Sequence, residues 1–431
     1  MTVRRLVRPL IVLVCLVLVA AGCGGDSGGA GSEGGDVTLR MSTWGNDSRL
    51  RLTEEAKTAF EAANPGIKVQ VENSEWGGYW DKLATMTAGN TAPDVIQMDE
   101  AYIAAYGGRG ALLDLGKQSS VLDLSAMDAK VLDTGKVDGA LVGAPIGIGI
   151  FSVGVNPDLL KKAGLKMPDD KTWTWDDFAT MAATVTEKLG SEGVTGMDFF
   201  GFTAAEMGAW TRQHEQEIFP MEGQTRVTAE TLQEYFEFAK RLQDTKATPA
   251  SDSQVQDQTA ALDGSKFAQG KAAFHLQFHT QIAAFVAASK ADLKLLRLPA
   301  QAKGESPRMV NKASMYWSVS SRSEHPEEAA KLISFLMTDP AAVKILKVER
   351  GIPAIAAVQT EVEPLLDPTG KMALEFAREL QAEVVPPPQV TPQNASGFGS
   401  EVTPIGTDVL FGRKTPADGA RDVLALLDSL Q

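Results

Sequence analysis

Apolar and polar positions follow two rhythms along this chain. Val37-Thr38-Leu39-Arg40-Met41-Ser42 alternates with the two-residue period of a half-buried strand and runs into Thr43-Trp44-Gly45-Asn46. Residues 50–63 set Leu52, Ala56, Ala59, Phe60 and Ala63 on one side of a 3.6-residue period, which predicts a helix; Asn64-Pro65-Gly66 stops it. Ile67 to Val71 alternates again, Trp80 to Ala88 predicts a second helix, and Pro93-Asp94-Val95-Ile96-Gln97-Met98 predicts a buried strand. Strand, helix, strand, helix, strand implies an α/β fold with a parallel sheet between helices. The rhythm returns late in the chain: a strand over 312–320, a helix over 326–337 entered through His325-Pro326-Glu327-Glu328, and a last helix over 420–430 opened by Thr415-Pro416-Ala417-Asp418. Pro386-Pro387-Pro388 reads as a stiff connector.

The first 35 residues belong to neither rhythm. Arg4, Arg5 and Arg8 form a positive start, and Leu10 to Ala20 is an apolar run too short to cross a bilayer comfortably. Ala20-Ala21-Gly22-Cys23 follows, so residues 1–22 read as a secretory signal. The cysteine directly after small residues resembles a bacterial lipobox, whose cysteine becomes the first mature residue and carries the lipid. Gly24 to Gly35 (GGDSGGAGSEGG) makes residues 23–36 a lipidated cysteine on a flexible leash, with a reach of roughly 20 Å. Gly25-Asp26-Ser27-Gly28-Gly29 imitates the string around a serine nucleophile. It has no histidine before it and no strand leading in, so it is not read as catalytic. Loss of Cys15 with the signal leaves a single cysteine and no internal disulfide.

Composition narrows the function. The 431 residues are enough for two or three domains at about 150 residues each. Apolar residues make up 44% and charged residues 22%, which suits a folded chain. Asp plus Glu number 55 against 41 Lys plus Arg, a net charge of −14 that becomes −17 without the signal. That excludes the basic footprint of a nucleic-acid binder. Four histidines and two cysteines leave little for a metal site. His275 and His279 would share a helix face, but the string His-Leu-Gln-Phe-His lacks the glutamate of a zinc protease. Gly264 to Lys271 and Gly147-x-Gly149 are incomplete phosphate loops, so no metal or cofactor is expected.

Several strings, in order, resemble one family. They are Ala92-Pro93-Asp94-Val95 with Gly110-Ala111-Leu112-Leu113-Asp114-Leu115; Gly143-Ala144-Pro145; Val155-Asn156-Pro157-Asp158-Leu159-Leu160 with Lys162-Ala163-Gly164-Leu165; Thr174-Trp175-Asp176-Asp177-Phe178; Phe267 to Phe274 (FAQGKAAF); His325 to Ala330; and Gly351-Ile352-Pro353. Together they are similar to the extracytoplasmic solute-binding lipoproteins of bacterial ABC importers, in the carbohydrate-binding group related to maltose-binding protein. The resemblance implies a two-lobed, type II periplasmic-binding-protein-like fold, each lobe a sheet flanked by helices, with the ligand in the cleft between them. Because the chain in this family crosses between lobes more than once, lobe one is expected at 37–147 plus 306–352 and lobe two at 148–305 plus 353–431. Gly143 to Gly154 would hold the first crossing, since glycine absorbs hinge rotation cheaply. The implied partners are a small sugar and the permease's membrane subunits. The implied location is the outer face of the bacterial cytoplasmic membrane, held by lipid on Cys23, with the protein a monomer.

Sugars present hydroxyls, which want polar partners, and a flat C–H face, which wants an aromatic ring. Aromatics are only 7% of the chain, so their positions inform. Trp44 with Asn46, Trp76, and Asp99 with Glu100 and Tyr102 follow the first three strands, and Phe151 lies at the crossing. In lobe two, Trp210 begins a Trp-x-Arg-Gln string resembling the family's stacking segment. Phe278 follows the FAQGKAAF segment, and Trp317 falls near a family contact position, sharing a strand face with Met315 opposite Tyr316. The candidate ligand contacts are therefore Trp44, Asn46, Trp76, Asp99, Phe151, Trp210, Phe278 and Trp317, with Trp80, Trp173 and Trp175 read as packing. The main reading is a non-enzymatic binding component that captures a sugar, expected to be an oligosaccharide, for an ABC importer. The alternatives are a binding protein for a polyamine or other organic solute and a secreted glycosidase recruiting carboxylates such as Asp99, Glu100 and Asp198.

Overall fold

A computed structural model describes residues 36–430. The expectations for Cys23, the signal and the glycine leash lie outside the described residues. In chain order the elements that build the site are β1 (Val37–Trp44), α1 (Asp47–Ala63), β2 (Ile67–Ser74), α2 (Trp76–Ala88), β3 (Val95–Met98), α3 (Glu100–Gly107), β4 (Ala144–Pro145) and β5 (Gly147–Val155). There follow α4 (Trp175–Leu189), β6 (Thr195–Met197), α5 (Ala204–Gln213), α6 (Ala229–Asp244), β7 (Ala272–Phe278), β8 (Lys294–Leu296), β9 (Asn311–Ala313) and β10 (Tyr316–Val319). The last are α7 (Pro326–Thr338), β11 (Ile352–Pro353), α8 (Pro368–Leu380), α9 (Phe398–Leu410) and α10 (Pro416–Ser429).

Local chemistry accounts for where these helices start. The Asn46 side chain accepts the Arg49 N–H, so α1 opens three residues before its apolar periodicity shows. Thr174 and Asp177 form a reciprocal capping box at the head of α4, and Thr415 and Asp418 do the same for α10. α2 begins at Trp76 rather than at Trp80, because the Gly77-Gly78 pair in its first turn carries no helical signal.

Two sheets result. The first has the order β2-β1-β3-β10-β4, with β1 parallel to β2 and β3 while β10 runs antiparallel to β3 and β4, so it is mixed rather than purely parallel. The second has the order β8-β5-β7-β6 and is centred on β5, buried at all nine positions. The first half of β5 pairs with β9 and β11, the second half with β7 and β8.

The chain passes from one sheet to the other within a few residues. β4 belongs to the first sheet and β5 to the second, with only Ile146 between them. The strand expected over 312–320 is two strands. β9 pairs with β5 and β10 with β3, and the chain turns at Ser314, whose N–H donates to the Gly147 carbonyl and whose hydroxyl donates to that of Arg350. Close approach requires glycine here: a Cβ on Gly147 would stand 2.7 Å from the Ile352 carbonyl oxygen, and Gly351 has φ +110°.

The expected helical pair His275 and His279 is on a strand and just beyond its end, because this segment (AAFHLQF) pairs with β5 and β6, its Phe274 and Phe278 set on one face. His275 Nδ1 lies 3.0 Å from the Asp198 carboxylate, and His279 Nδ1 accepts the Ile150 N–H at 2.9 Å. Each imidazole is occupied by its own partner. Asp198 is fully buried on this pair rather than available to a ligand.

Candidate functional site

A cavity of about 510 Å³ lies where the ends of the two sheets meet, within the size range of small-molecule sites. Its first wall comes from the residues just after β2 and β3. Trp76, in the first turn of α2, is 45% exposed, with its ring 5.2 Å from that of Trp44 and 6.3 Å from Tyr102. Asp99 caps α3 through the Ala101 N–H at 3.0 Å, and burial holds its carboxyl above the usual range. Tyr316 of β10 completes this wall. Burial raises its phenol far above the ordinary tyrosine value, so the hydroxyl stays a neutral donor.

The second wall comes from the other sheet. Phe151 of β5 and Phe278 of β7 are paired across the strands with ring centroids 5.3 Å apart. Helix α5 turns Ala204, Gly208 and Arg212 to the cavity at four-residue intervals. Gly208 has room for the Arg212 guanidinium to lie back over it, since a Cβ there would stand 3.2 Å from its Nη1.

Two of the three carboxylates lining the cavity are paired with its two cations, and Asp99 is the third. Lys312 of β9 lies 3.5 Å from Glu100 and 5.4 Å from the centre of the Phe278 ring. Burial pushes its ammonium down, but the Glu100 and Asp99 carboxylates outweigh that and hold it above the usual lysine value. Arg212 lies 3.5 Å from Glu217. Burial pushes the Glu217 carboxyl up, and Arg212 opposes this only in part. Burial likewise lowers the Arg212 guanidinium, whose Nε has no hydrogen-bond partner among the described residues. A third segment closes one side: Thr391 donates from N–H and hydroxyl to Glu100 at 2.5 and 2.9 Å, bringing Pro387 to Ser400 against the cavity.

Of the eight expected contacts, Trp76, Asp99, Phe151 and Phe278 converge on this cavity. Trp44 does not line it; at 7% exposure it backs Trp76 and Trp80. Asn46 is spent on capping α1. Trp210 is two residues from Arg212, so the helix turns it inward against Trp175 and Phe238, with centroids 5.7 and 5.2 Å away. Trp317 is 1% exposed under the Arg350 guanidinium; its neighbour Tyr316, on the opposite strand face, reaches the cavity instead. Arg212, Glu217, Lys312 and the Pro387 to Ser400 segment were not foreseen. The order Trp-x-Arg carried a usable signal for Arg212, because the arginine sits half a turn from the tryptophan.

The bacterial extracellular solute-binding protein family matches this sequence over residues 46–343, well over half of the chain. The chain belongs to that family. A diacetylchitobiose binding protein, DasA, of Streptomyces coelicolor is 24% identical over 435 residues, covering 97% of this chain and 97% of its own. An uncharacterized lipoprotein of Streptomyces antibioticus, from the oleD 5' region, is 30% identical over 193 residues; the match spans 42% of this chain and 39% of that relative's length. Among solved structures, an extracellular solute-binding protein family 1 member from Alicyclobacillus acidocaldarius is 27% identical, with a TM-score of 0.67 over 92% of this chain and 99% of its own. Members of this family have the two-lobed type II fold.

Proposed function

We propose that this protein captures a sugar, an oligosaccharide, outside the membrane and delivers it to an ABC permease without catalysis. The observation that carries this is the cleft itself. Aromatic rings from both lobes (Trp76 and Tyr102 facing Phe151 and Phe278) surround polar side chains, most of them already paired with one another. Rings suit the C–H faces of pyranoses, and paired charged groups offer hydrogen bonds to neutral hydroxyls. The full-length relative named for diacetylchitobiose puts amide-bearing disaccharides first among candidates.

We propose lobe one at 37–147 plus 306–352 and lobe two at 148–305 plus 353–431. A ligand touching both lobes favours their closed arrangement and shifts the population toward it. The lipobox resemblance at Cys23, together with a relative named as a lipoprotein, supports a lipid anchor on the outer face of the cytoplasmic membrane, and we propose the protein there as a monomer.

Polyamine capture fits less well. Glu100 and Glu217 are already answered by Lys312 and Arg212, which leaves Asp99, among the described residues, as the one cleft carboxylate without an ion pair, too few for a polycation unless it displaces resident cations. A thermal-shift panel of mono- to oligosaccharides, with polyamines alongside, tests the reading. Ligand at about a thousand times Kd stabilises the fold by roughly 4 kcal/mol. Stabilisation by a sugar that stays intact supports capture. A response confined to polyamines, or sustained cleavage of the sugar, overturns it.

A further inference from the structure

Helices α2 and α3 leave a second cavity, of about 540 Å³, on the outer face of lobe one. It is a trough rather than a dimple. α2 lines it with Ala84 and Ala88, one turn apart, and α3 faces them with Ala105, so no large side chain fills the space. Tyr102 belongs to both cavities, as does Ser396 from the segment against Glu100. The trough therefore begins at the cleft and runs outward along α2, which is about 20 Å long.

Its floor is aromatic. The Trp80 and Tyr102 rings are stacked 3.8 Å apart at 14°, and Tyr106 follows one turn farther out, 6.5 Å from Trp80. At the outer end stand Arg109 and Arg322, neither of which has a carboxylate within ion-pair distance among the described residues. An aromatic floor, unpaired donors and continuity with the sugar cleft are what a chain of sugar rings requires.

We infer that this trough is an outer subsite that holds the distal sugar units of an oligosaccharide whose first units occupy the cleft. The inference rests on the sugar-capture reading. It makes affinity depend on chain length: the cleft alone serves a disaccharide, and the trough adds contacts only for longer chains. It also places Tyr106 and Arg109 in length selection rather than in basic recognition.

The test is calorimetric titration of the full protein with ladders of two to six units of N-acetylglucosamine, glucose and galacturonic acid oligomers. For the ladder that binds, the hexamer is expected to bind about tenfold more tightly than the dimer, the size of effect expected of one added aromatic platform. Tyr106→Ala with Arg109→Ala should remove that gain and leave dimer affinity unchanged. Ala84→Phe, at an exposed position, should block the trough with the same result and without touching the floor. Dimer binding with no gain on lengthening, or a gain that survives both variants, overturns the outer subsite and leaves sugar capture standing. Binding by no sugar at any length overturns both.

Discussion

Single side chains divide into those that touch a ligand and those that hold the touching ones in place. Trp76 and Trp44 lie 5.2 Å apart yet fall on opposite sides of that line. Trp76→Ala is expected to weaken sugar binding by about 1–3 kcal/mol, one aromatic platform plus its burial, with the melting temperature nearly unchanged. Trp44→Ala is expected instead to cost about 3–5 kcal/mol of stability, the usual loss for a core tryptophan. Parallel titration and thermal melts of the two variants read this out. Equal affinity in Trp76→Ala and wild type would show that the cleft wall is misplaced.

The sequence placed Trp76 and Tyr102 after their strands correctly, but Trp44, expected there too, is the last residue of β1, and the directions of several aromatics were not foreseen. Trp44 and Trp317 are strand residues whose alternation points them into the core, and Trp210 is turned inward by its helix. Their residue type argued for contact, and only the phase of each element argues against it. Arg212 and Tyr316, the neighbours in opposite phase, take the places in the cleft.

At the scale of elements, most strands and helices were legible because each buries one face and its pattern shows it. The ends were less so: Asn46 starts α1 early by a cap, and Gly77-Gly78 hides the start of α2. What periodicity could not show was the turn at Ser314, where one apolar run serves two sheets.

That junction carries a pH dependence. His279 sits just past β7 and accepts the Ile150 N–H of β5, and burial lowers its pKa from 6.5 to about 4. Between those values the unfolded chain takes up a proton that the folded chain refuses. Stability is therefore full above 6.5 and falls as the pH drops toward about 4. His279→Asn keeps an acceptor near Nδ1 but does not titrate, so melts across this range should show a flatter decline than wild type. An unchanged slope would show that the imidazole is already protonated or exposed in the fold.

For the whole molecule, the two sheets are joined by short crossings at Ile146, Ser314 and Gly351, and the cavity lies where the sheets end. One hydrophobic core runs continuously under both sheets, and a smaller cluster around Trp44, Trp80 and Tyr316 backs the cleft side of the first. The cleft's third side, where Thr391 meets Glu100, joins residues 291 positions apart, and no local pattern announces such a contact. The family strings implied two lobes and a cleft. The identity of the residues that close it depended on tertiary packing.

The central claim is that a sugar lies between the lobes against aromatic rings from both. A crystal structure of the protein with the most stabilising sugar of the panel tests it most directly. The account predicts pyranose rings stacked on Trp76 or Tyr102 on one side and on Phe278 on the other, with hydroxyls bonded to Asp99, Arg212 or Lys312. Sugar bound elsewhere with this cleft solvent-filled, or touching one lobe alone, would contradict it.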